Sequence, residues 1–242
     1  MIVFVTTQMR TGSTWLCDLL SGIVGVRWEF WQKGRDIPQE IFKDFIHDAK
    51  GTHIIKMHYT PPSRICECIE TNSKKAFVIS ITRDVRDIAI SKILYMKHDR
   101  PMRNLARLKS LNDMRIHFDK KHLSDKDYIN EFIRTPHFKH IVRNWKMYND
   151  GYTHTNYYLT NYELLHKRRL FVCKTLANFI GISKNNQMFK KIIVQNNFIS
   201  KTGRNQGKEI NSAFRRKGII GDYKSYLNQK SIRIINRLVE KL

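Results

Sequence analysis

The sequence predicts an α/β domain with a mainly parallel sheet, and three observations support this. The segment Ala76–Thr82 is an almost unbroken apolar run, which is typical of a strand buried on both faces of a parallel sheet. Residues 3–16 start as a short apolar strand, pass through a hydroxyl-rich loop around Gly12, and continue as an amphipathic helix. The chain has 242 residues, 41% of them hydrophobic, and no evident linker divides it. We therefore predict a single domain over residues 1–242 that buries a sizeable core.

The loop around Gly12 is a candidate phosphate site. A glycine lets the backbone turn close to a ligand, and the helix that follows offers unpaired N–H groups and the positive end of its dipole. Arg10, Ser13 and Thr14 add a cation and two hydroxyls. The same pattern also fits an ordinary strand-to-helix connection, so the rest of the chain has to decide between the two.

The next elements are predicted from apolar spacing and from residues that start or end helices. A short helix is expected over residues 14–20, ending near Gly22. Another helix is expected over residues 38–49, because proline is favoured at the first position of a helix. Between these helices lies an aromatic cluster, which either packs in the core or walls a substrate pocket, and which consists of Trp28, Phe30 and Trp31.

A second strand, His53–His58, carries the first candidate catalytic residues. Pro61 and Pro62 follow it and end it. Side chains alternate along a strand, so Lys56 and His58 point the same way. Ligands bind at the carboxyl ends of strands in open α/β sheets, and both side chains lie near such an end. The alternative is a solvated strand end without a function.

The strand Ala76–Thr82 leads into a second candidate phosphate site. Arg83 follows the strand, and Asp84 can cap a helix that runs to about residue 97. Ser91 lies about two turns into that helix, on a face that it shares with Asp84. An arginine that leaves a strand and a serine on the following helix are suited to bind a second phosphate.

The second half of the chain is less regular. Residues 98–136 are charged and weakly periodic, and we interpret them as a helical insertion or cap over the site. The basic segments 201–207 and 214–218 are either solvated surface or a lid over phosphates. Further predicted elements are helices over residues 137–149, 167–180 and Asn186–Gln195, a strand over residues 156–160, and a final helix from Gln229.

The net charge of +23 comes from 44 Lys and Arg against 21 Asp and Glu, and it favours an anionic ligand or partner. The basic residues are spread over the whole length, so a diffuse solvated surface explains them at least as well. Four scattered cysteines predict no zinc site. There is no apolar run long enough for a membrane anchor and no secretory leader pattern, so we expect a cytoplasmic protein without membrane insertion.

Four segments, taken together and in order, resemble the sulfotransferases that use 3′-phosphoadenosine 5′-phosphosulfate (PAPS), and the cytosolic type in particular. The segment MRTGSTW resembles the family's 5′-phosphosulfate loop, and IIKMHYTPP resembles the strand that carries its base. The segment ITRDVRDIAIS resembles its 3′-phosphate element, and FRRKGIIGDYKSYL resembles its C-terminal RKGxxGDWK segment. The resemblance covers residues 3–227. It implies a P-loop-like three-layer α/β/α fold around a central, mainly parallel sheet.

The resemblance also implies which residues hold the nucleotide. Arg10 stands where the family usually has lysine, which keeps the charge and changes a point donor into a planar fork. The residues implied to wrap the 5′-phosphosulfate are Thr11, Gly12, Ser13 and Thr14. The implied adenine contacts are Trp15, Tyr162 and Phe198. The implied 3′-phosphate ligands are Arg83, Ser91, Arg216, Lys217 and Gly218.

The chemistry implied by the resemblance is in-line transfer of a sulfuryl group from PAPS to an acceptor hydroxyl or amine. Arg10 and Lys56 would meet the charge that builds up on the leaving nucleotide, and His58 would remove the acceptor's proton as a general base. The implied product of the donor is 3′,5′-ADP (PAP), and no metal is implied. The sequence predicts neither the identity of the acceptor nor the oligomeric state.

Two other functions remain open at this point. A P-loop-type nucleotide kinase would have a similar fold, but its phosphate loop needs glycine where this chain has Thr7 and lysine where it has Ser13. A basic nucleic-acid-binding protein would explain the net charge, but the sequence contains no recognised nucleic-acid-binding motif, so we expect no nucleic-acid partner.

Overall fold

Five parallel strands form the central sheet in this computed structural model, which describes residues 1–31, 37–58, 60–69, 75–98, 122–150, 152–208 and 217–241. The strands are β1 (Ile2–Thr7), β2 (Trp28–Trp31), β3 (His53–His58), β4 (Ala76–Thr82) and β5 (Tyr157–Asn161). Their order across the sheet is β2-β3-β1-β4-β5, and every neighbouring pair is parallel. The sheet predicted from the apolar runs is therefore confirmed.

Helices connect the strands and continue beyond them. They are α1 (Ser13–Val24), α2 (Gln39–Asp48), α3 (Pro62–Cys66), α4 (Val85–His98), α5 (Asp125–Phe132), α6 (Pro136–Met147), α7 (Tyr162–Lys167), α8 (Arg169–Phe179), α9 (Asn186–Gln195), α10 (Phe198–Thr202) and α11 (Gln229–Glu240), with a 3₁₀ turn at Asp222–Ser225. Among the described residues, every helix is too short or too polar to cross a membrane.

The chain divides into two compact units. The first comprises Met1–Arg83 and Met147–Gly203 and holds the whole sheet. Its core includes residues of β1, β3 and α2, among them Phe4, Ile55 and Phe42. The second comprises Asp84–Lys146 and Arg204–Leu242.

The second unit has its own hydrophobic core. Ile88, Tyr128 and Ile235 are buried there, contributed by α4, α5 and α11. The prediction of a single domain with an insertion or cap at residues 98–136 stays a prediction, and residues 99–121 of that segment lie outside the described residues.

The predicted end of α1 is wrong. The helix passes Gly22 and ends at Val24. Gly22 is a packing position, because a Cβ there would lie 2.7 Å from Ile192. The helix stops at Gly25, whose φ of 90° is in the left-handed region and whose N–H donates to the Ser21 carbonyl at 2.8 Å.

The strand β2 was not predicted, and it answers the question that the aromatic cluster left open. Trp31 packs into the core, with its ring centroid 4.8 Å from that of Phe45. Phe30 points to the other face of the sheet and is 45% exposed. The cluster is therefore split by strand alternation, with Trp31 in the core and Trp28 and Phe30 on the opposite face.

The predicted helix over residues 167–180 corresponds to α8, and a short helix that was not predicted, α7, precedes it. Arg168 separates the two helices with a non-helical backbone, φ of −131° and ψ of 49°. Gly181, with φ of 73°, follows the second helix as expected for a helix stop. The predicted loop at 201–207 overlaps the end of α10, which runs to Thr202.

Candidate functional site

Threonine hydroxyls brace the loop between β1 and α1 from the inside. The Thr7 hydroxyl lies 2.9 Å from the Ile81 carbonyl and 2.6 Å from the Thr11 hydroxyl. Thr11 is 1% exposed and donates to the Gln8 carbonyl at 3.0 Å. Among the predicted phosphosulfate residues, Thr11 therefore uses its hydroxyl to support the loop.

Two features of the loop require glycine at position 12. Its φ is 95°, which side-chain-bearing residues rarely adopt. A Cβ at this position would also lie 2.6 Å from Cδ2 of Tyr162.

Arg10 has φ of 73° and is the only described residue other than glycine with a positive φ. Backbone conformations of this kind are concentrated at functional sites.

The first turn of α1 offers backbone N–H groups to an anion. No side chain of the described residues caps this helix. The N–H of Leu16 makes a helical bond to the Gly12 carbonyl at 3.1 Å, so the N–H groups of Ser13, Thr14 and Trp15 precede the hydrogen-bonded ladder. Such N–H groups and the positive end of a helix dipole suit an anion, and binding of the predicted phosphosulfate at this position stays a prediction.

Lys56 is held beside this position by three neighbours. Its side chain is almost buried, since the residue is 4% exposed. Its Nζ donates to Oγ1 of Thr14 at 2.7 Å. It also lies 5.0 Å from the ring centroid of Trp28 and 5.6 Å from that of Phe30, which is within the range of cation–π attraction. The ammonium group is therefore fixed next to the start of α1.

His58 is attached to the end of β1. Its Nδ1 lies 3.1 Å from the Thr7 carbonyl, which can only accept a hydrogen bond. Nδ1 therefore carries the proton in the neutral ring, and Nε2 is the nitrogen that can accept one. The His58 ring also contacts Phe30 edge to face, with centroids 5.4 Å apart. Phe30 thus lies beside both Lys56 and His58, which share one face of β3 as predicted.

Aromatic side chains gather on the other side of the loop. Trp15 contacts Tyr162 edge to face at 5.8 Å between centroids, and Tyr162 lies 5.9 Å from His166. The Arg83 guanidinium lies over the Tyr162 ring at 4.4 Å. The structure therefore brings together Trp15, Tyr162 and Arg83 of the predicted nucleotide residues. Phe198 is half-buried at the start of α10 in the same unit.

The remaining predicted 3′-phosphate residues lie in the second unit or outside the described residues. Ser91 is in α4 and is half-buried. Lys217 forms an ion pair with the buried Asp222 at 3.0 Å, and its Nζ lies 3.3 Å from the Tyr226 hydroxyl. Gly218 has φ of 68°. Arg216 lies outside the described residues.

The start of α4 is built differently from that of α1. The Asp84 carboxylate accepts the Arg86 N–H at 2.8 Å and also pairs with the Arg86 guanidinium. The Asp84 cap that the sequence predicted is therefore confirmed. Asp87, in the first turn of the helix, is 1% exposed and accepts backbone N–H bonds from Gly221 at 2.8 Å and Tyr223 at 3.0 Å.

Sequence reasoning left open whether Trp28 and Phe30 wall a substrate pocket, and it gave no role to Asp18. Trp28 and Phe30 lie beside Lys56, and Asp18 accepts a hydrogen bond from Trp28 Nε1 at 3.0 Å. The available signal was the alternation in WEFW, which puts Trp28 and Phe30 on one face of a strand. For Asp18 the signal was its position one turn after Thr14 on α1.

Burial outweighs the positive surroundings at Cys17, in the second turn of α1. A cation and a helix N-terminus usually lower the pKa of a thiol. Burial raises the pKa of Cys17 to about 12, although the Lys56 ammonium acts in the opposite direction. Among the described residues, no three His, Cys, Asp or Glu side chains come together as a metal site would require.

Comparisons with known proteins bear on the family and the fold of this chain. The family model for the sulfotransferase domain matches residues 2–242. A crystal structure of mouse sulfotransferase SULT7A1 complexed with PAP is similar, with 17% identity, coverage of 98% of this chain and 81% of that chain, and a TM-score of 0.65. Retinol dehydratase in complex with androsterone and inactive cofactor PAP is also similar, with 17% identity, coverage of 99% and 80%, and a TM-score of 0.63.

A second structure of retinol dehydratase, in a complex with retinol and PAP, gives 16% identity, coverage of 99% and 80%, and a TM-score of 0.62. A comparison with curated proteins found no match. At these identities the solved structures bear on the fold alone, and they confirm the predicted P-loop-like α/β architecture.

Proposed function

The chain belongs to the sulfotransferase family, and from this premise we propose that it moves a sulfuryl group from PAPS to an acceptor hydroxyl or amine. The observation that carries the proposal is the start of α1, where uncapped N–H groups, Gly12 and the fixed Lys56 ammonium lie together. The three similar structures described above were determined with PAP, the product that PAPS leaves after transfer.

The residues at the loop fit the phosphosulfate end of PAPS. When bound, PAPS supplies an activated sulfuryl group attached to a phosphate oxygen. The N–H groups at the start of α1 are suited to bind an anion, and Gly12 lets the loop backbone pack closely against Tyr162, where a Cβ would lie 2.6 Å from Cδ2. Arg10 contributes the cation that the family usually supplies as lysine.

Lys56 and Arg10 would stabilise the leaving nucleotide. During transfer, the bond between sulfur and the nucleotide's phosphate oxygen breaks while the acceptor oxygen or nitrogen bonds to sulfur, and negative charge grows on the leaving oxygen. A preorganised cation stabilises such charge more in the transition state than before it. Lys56 is preorganised in this sense, because Thr14 and two aromatic rings fix its ammonium.

We assign the general base to His58. Its Nδ1 is engaged with the Thr7 carbonyl, so Nε2 would accept the acceptor's proton as the new bond to sulfur forms. A histidine suits this task because its side chain titrates near neutral pH. The products are then the sulfated acceptor, PAP and a protonated His58, which returns its proton to water.

The other nucleotide contacts follow from the same assignment. Trp15 and Tyr162 would form the adenine side, and Arg83, stacked on Tyr162, would bind the 3′-phosphate. Phe198 remains the predicted third aromatic on the adenine side. The roles of Ser91, Lys217, Gly218 and Arg216 toward the 3′-phosphate stay predictions from the resemblance.

The acceptor is proposed to be an apolar alcohol. Phe30 presents a ring that is 45% exposed beside His58, which provides an apolar contact next to the base. The similar retinol dehydratase was crystallised with androsterone and with retinol, both of which carry a hydroxyl group.

A cytoplasmic location also stays a prediction from the sequence. Neither a nucleotide kinase nor a nucleic-acid-binding protein gains support from the structure or the comparisons.

Binding calorimetry with three nucleotides tests the proposal. PAP should bind far more tightly than 5′-AMP, because charge-assisted contacts to the 3′-phosphate each contribute about 1.5–3 kcal/mol. ATP with magnesium should bind no better than 5′-AMP. Equal affinity for PAP and 5′-AMP would refute the 3′-phosphate site, and a preference for ATP with magnesium would favour the kinase.

A further inference from the structure

We propose that Asp18 and Trp28 are positioning residues that hold the Lys56 ammonium at the start of α1. The inference rests on the proposed function in one respect, namely that Lys56 acts on the leaving nucleotide. Neither Asp18 nor Trp28 needs to touch the nucleotide or the acceptor for this role, because both act through Lys56.

The contacts run from a carboxylate through an indole to the lysine. Trp28 Nε1 donates to Oδ1 of Asp18 at 3.0 Å. The ring of the same tryptophan lies 5.0 Å from Nζ of Lys56. A hydrogen bond at the indole nitrogen fixes the ring in its plane, and a fixed ring face defines where a cation is attracted to it.

Helix α1 contacts Lys56 twice, once directly and once through this pair. Thr14 and Asp18 are four residues apart and so lie on one face of the helix. Thr14 accepts the Lys56 hydrogen bond at 2.7 Å, and Asp18 holds the tryptophan that covers the lysine. The helix that forms the anion position therefore also sets the direction of the ammonium group.

The tryptophan needs an anchor because of where it lies in the sheet. It belongs to β2, an edge strand of the described sheet, which pairs there with β3 alone. A four-residue edge strand restrains its side chains weakly by itself. Asp18 supplies a restraint from the neighbouring helix, and its side chain is only 13% exposed.

The group next to the ammonium is a neutral ring. The Trp28 ring lies 5.0 Å from Nζ of Lys56, and its N–H donates to Asp18, so a carboxylate holds the indole while the ring that faces the lysine carries no charge. An uncharged aromatic ring attracts a cation without neutralising it.

The test combines turnover with a measurement that needs no substrate. Turnover is measured with ³⁵S-labelled PAPS and either 2-naphthol or water as the acceptor. Asp18→Ala and Trp28→Phe should each lower kcat by about 10- to 100-fold, as expected when a catalytic group is slightly misplaced. Asp18→Asn keeps an oxygen acceptor for the indole and should retain most of the activity. The double variant should lose no more than either single variant, since both break one connection.

The substrate-free measurement is exchange of the indole protons in protein labelled at its four tryptophans. The Trp28 signal, assigned by its loss in Trp28→Phe, should exchange slowly in the parent and in Asp18→Asn, and quickly in Asp18→Ala. Trp31→Phe is the matched control, because Trp31 lies on the opposite face of the same strand and packs into the core. It should leave kcat within about twofold of the parent.

Three outcomes separate this inference from the function on which it rests. If Lys56→Ala lowers turnover but Asp18→Ala and Trp28→Phe do not, the positioning role is wrong and the function stands. If Lys56→Ala leaves turnover unchanged, the proposed role of Lys56 is wrong. If Asp18→Asn fails as Asp18→Ala does while the indole still exchanges slowly, the charge of Asp18 matters rather than its hydrogen bond, and the inference is overturned.

Discussion

Two helices that follow neighbouring parallel strands begin in opposite ways. After β1, helix α1 starts at Gly12 with φ of 95°, and no described side chain caps it. After β4, helix α4 starts behind Asp84, whose carboxylate accepts the Arg86 N–H at 2.8 Å. The first helix start is available to an external anion, whereas an acidic residue of the chain already occupies the second.

The difference teaches that a strand–loop–helix pattern alone does not identify a phosphate site. The residue at the cap position decides, because a carboxylate there satisfies the same N–H groups that a phosphate would bind. Glycine at the cap position costs only a few tenths of a kcal/mol relative to a capping side chain, so an open start is compatible with a stable fold.

The largest effect is expected from removing the proposed general base, His58, which is bonded to the end of β1 just before the open start of α1. His58→Ala should lower kcat by about 10²–10⁴-fold, the usual loss for a general base, while PAP affinity stays close to that of the parent. The measurement is steady-state turnover together with calorimetry. Turnover within a few-fold of the parent, with unchanged PAP binding, would show that His58 is not the base.

The next effect tests the open start itself. Gly12→Ala should weaken PAP binding by more than about tenfold, because the left-handed backbone costs about 1–2 kcal/mol and the added Cβ collides with Tyr162. Gly25→Ala is the matched control, with φ of 90° and no atom within 4 Å of the added Cβ. It should lower stability through the backbone alone and leave PAP affinity unchanged. Equal loss of affinity in both variants would mean that the effect is general destabilisation.

Removing the Asp84 cap at the start of α4 should lower the stability of the protein and leave binding at the start of α1 unchanged. Asp84→Ala removes the cap of α4 and should lower the free energy of unfolding by about 0.5–2 kcal/mol. Asp84→Asn keeps an oxygen acceptor and should recover most of that loss. Urea denaturation measures both variants. If Asp84→Ala were as stable as the parent, the contrast between the two helix starts would have no energetic meaning.

The smallest effect concerns Cys17, close to the open start. Its pKa is raised to about 12 by burial, above the ordinary value of 9.0, so the folded state keeps the thiol protonated at a pH where the unfolded state loses the proton. The free energy of unfolding should therefore be unaffected below pH 9.0 and fall between pH 9.0 and about 12, by about 1.4 kcal/mol per pH unit for this thiol.

Urea denaturation at pH 8, 9 and 10 should show a flatter decline for Cys17→Ala than for the parent. The half-buried Cys68, replaced in the same way, should change the slope less. An unchanged slope in Cys17→Ala would contradict the burial argument.

The elements predicted correctly from sequence are those with strong apolar patterns. The strands β3 and β4 and the helix α9 have the predicted bounds, because each is a distinct periodic segment. The strand β2 was missed because it has four residues and two of them are exposed, so its alternation is too short to separate from an aromatic cluster. Gly22 was mistaken for a helix stop because sequence does not show that Ile192 packs on it.

The sequence predicted those parts of the site that depend on residues close together in the chain. The open start of α1 follows from Gly12 and the residues around it, and the shared face of Lys56 and His58 follows from strand parity. The contacts of Trp28 with Lys56 and with Asp18 depend on β2 pairing with β3, a contact between separate segments that no local pattern contains. For the same reason, the sequence did not show that the Thr11 hydroxyl is used inside the loop.

The position of β1 at the centre of the sheet has a consequence for how the chain folds. Its partners, β3 and β4, lie about 50 and 75 residues further along, so during synthesis β1 leaves the ribosome long before either neighbour exists. Closing such long loops slows folding, and until then a strand with four consecutive apolar residues is exposed to other chains. The strand that leads into the Gly12 loop is thus also one that waits for both of its partners during translation.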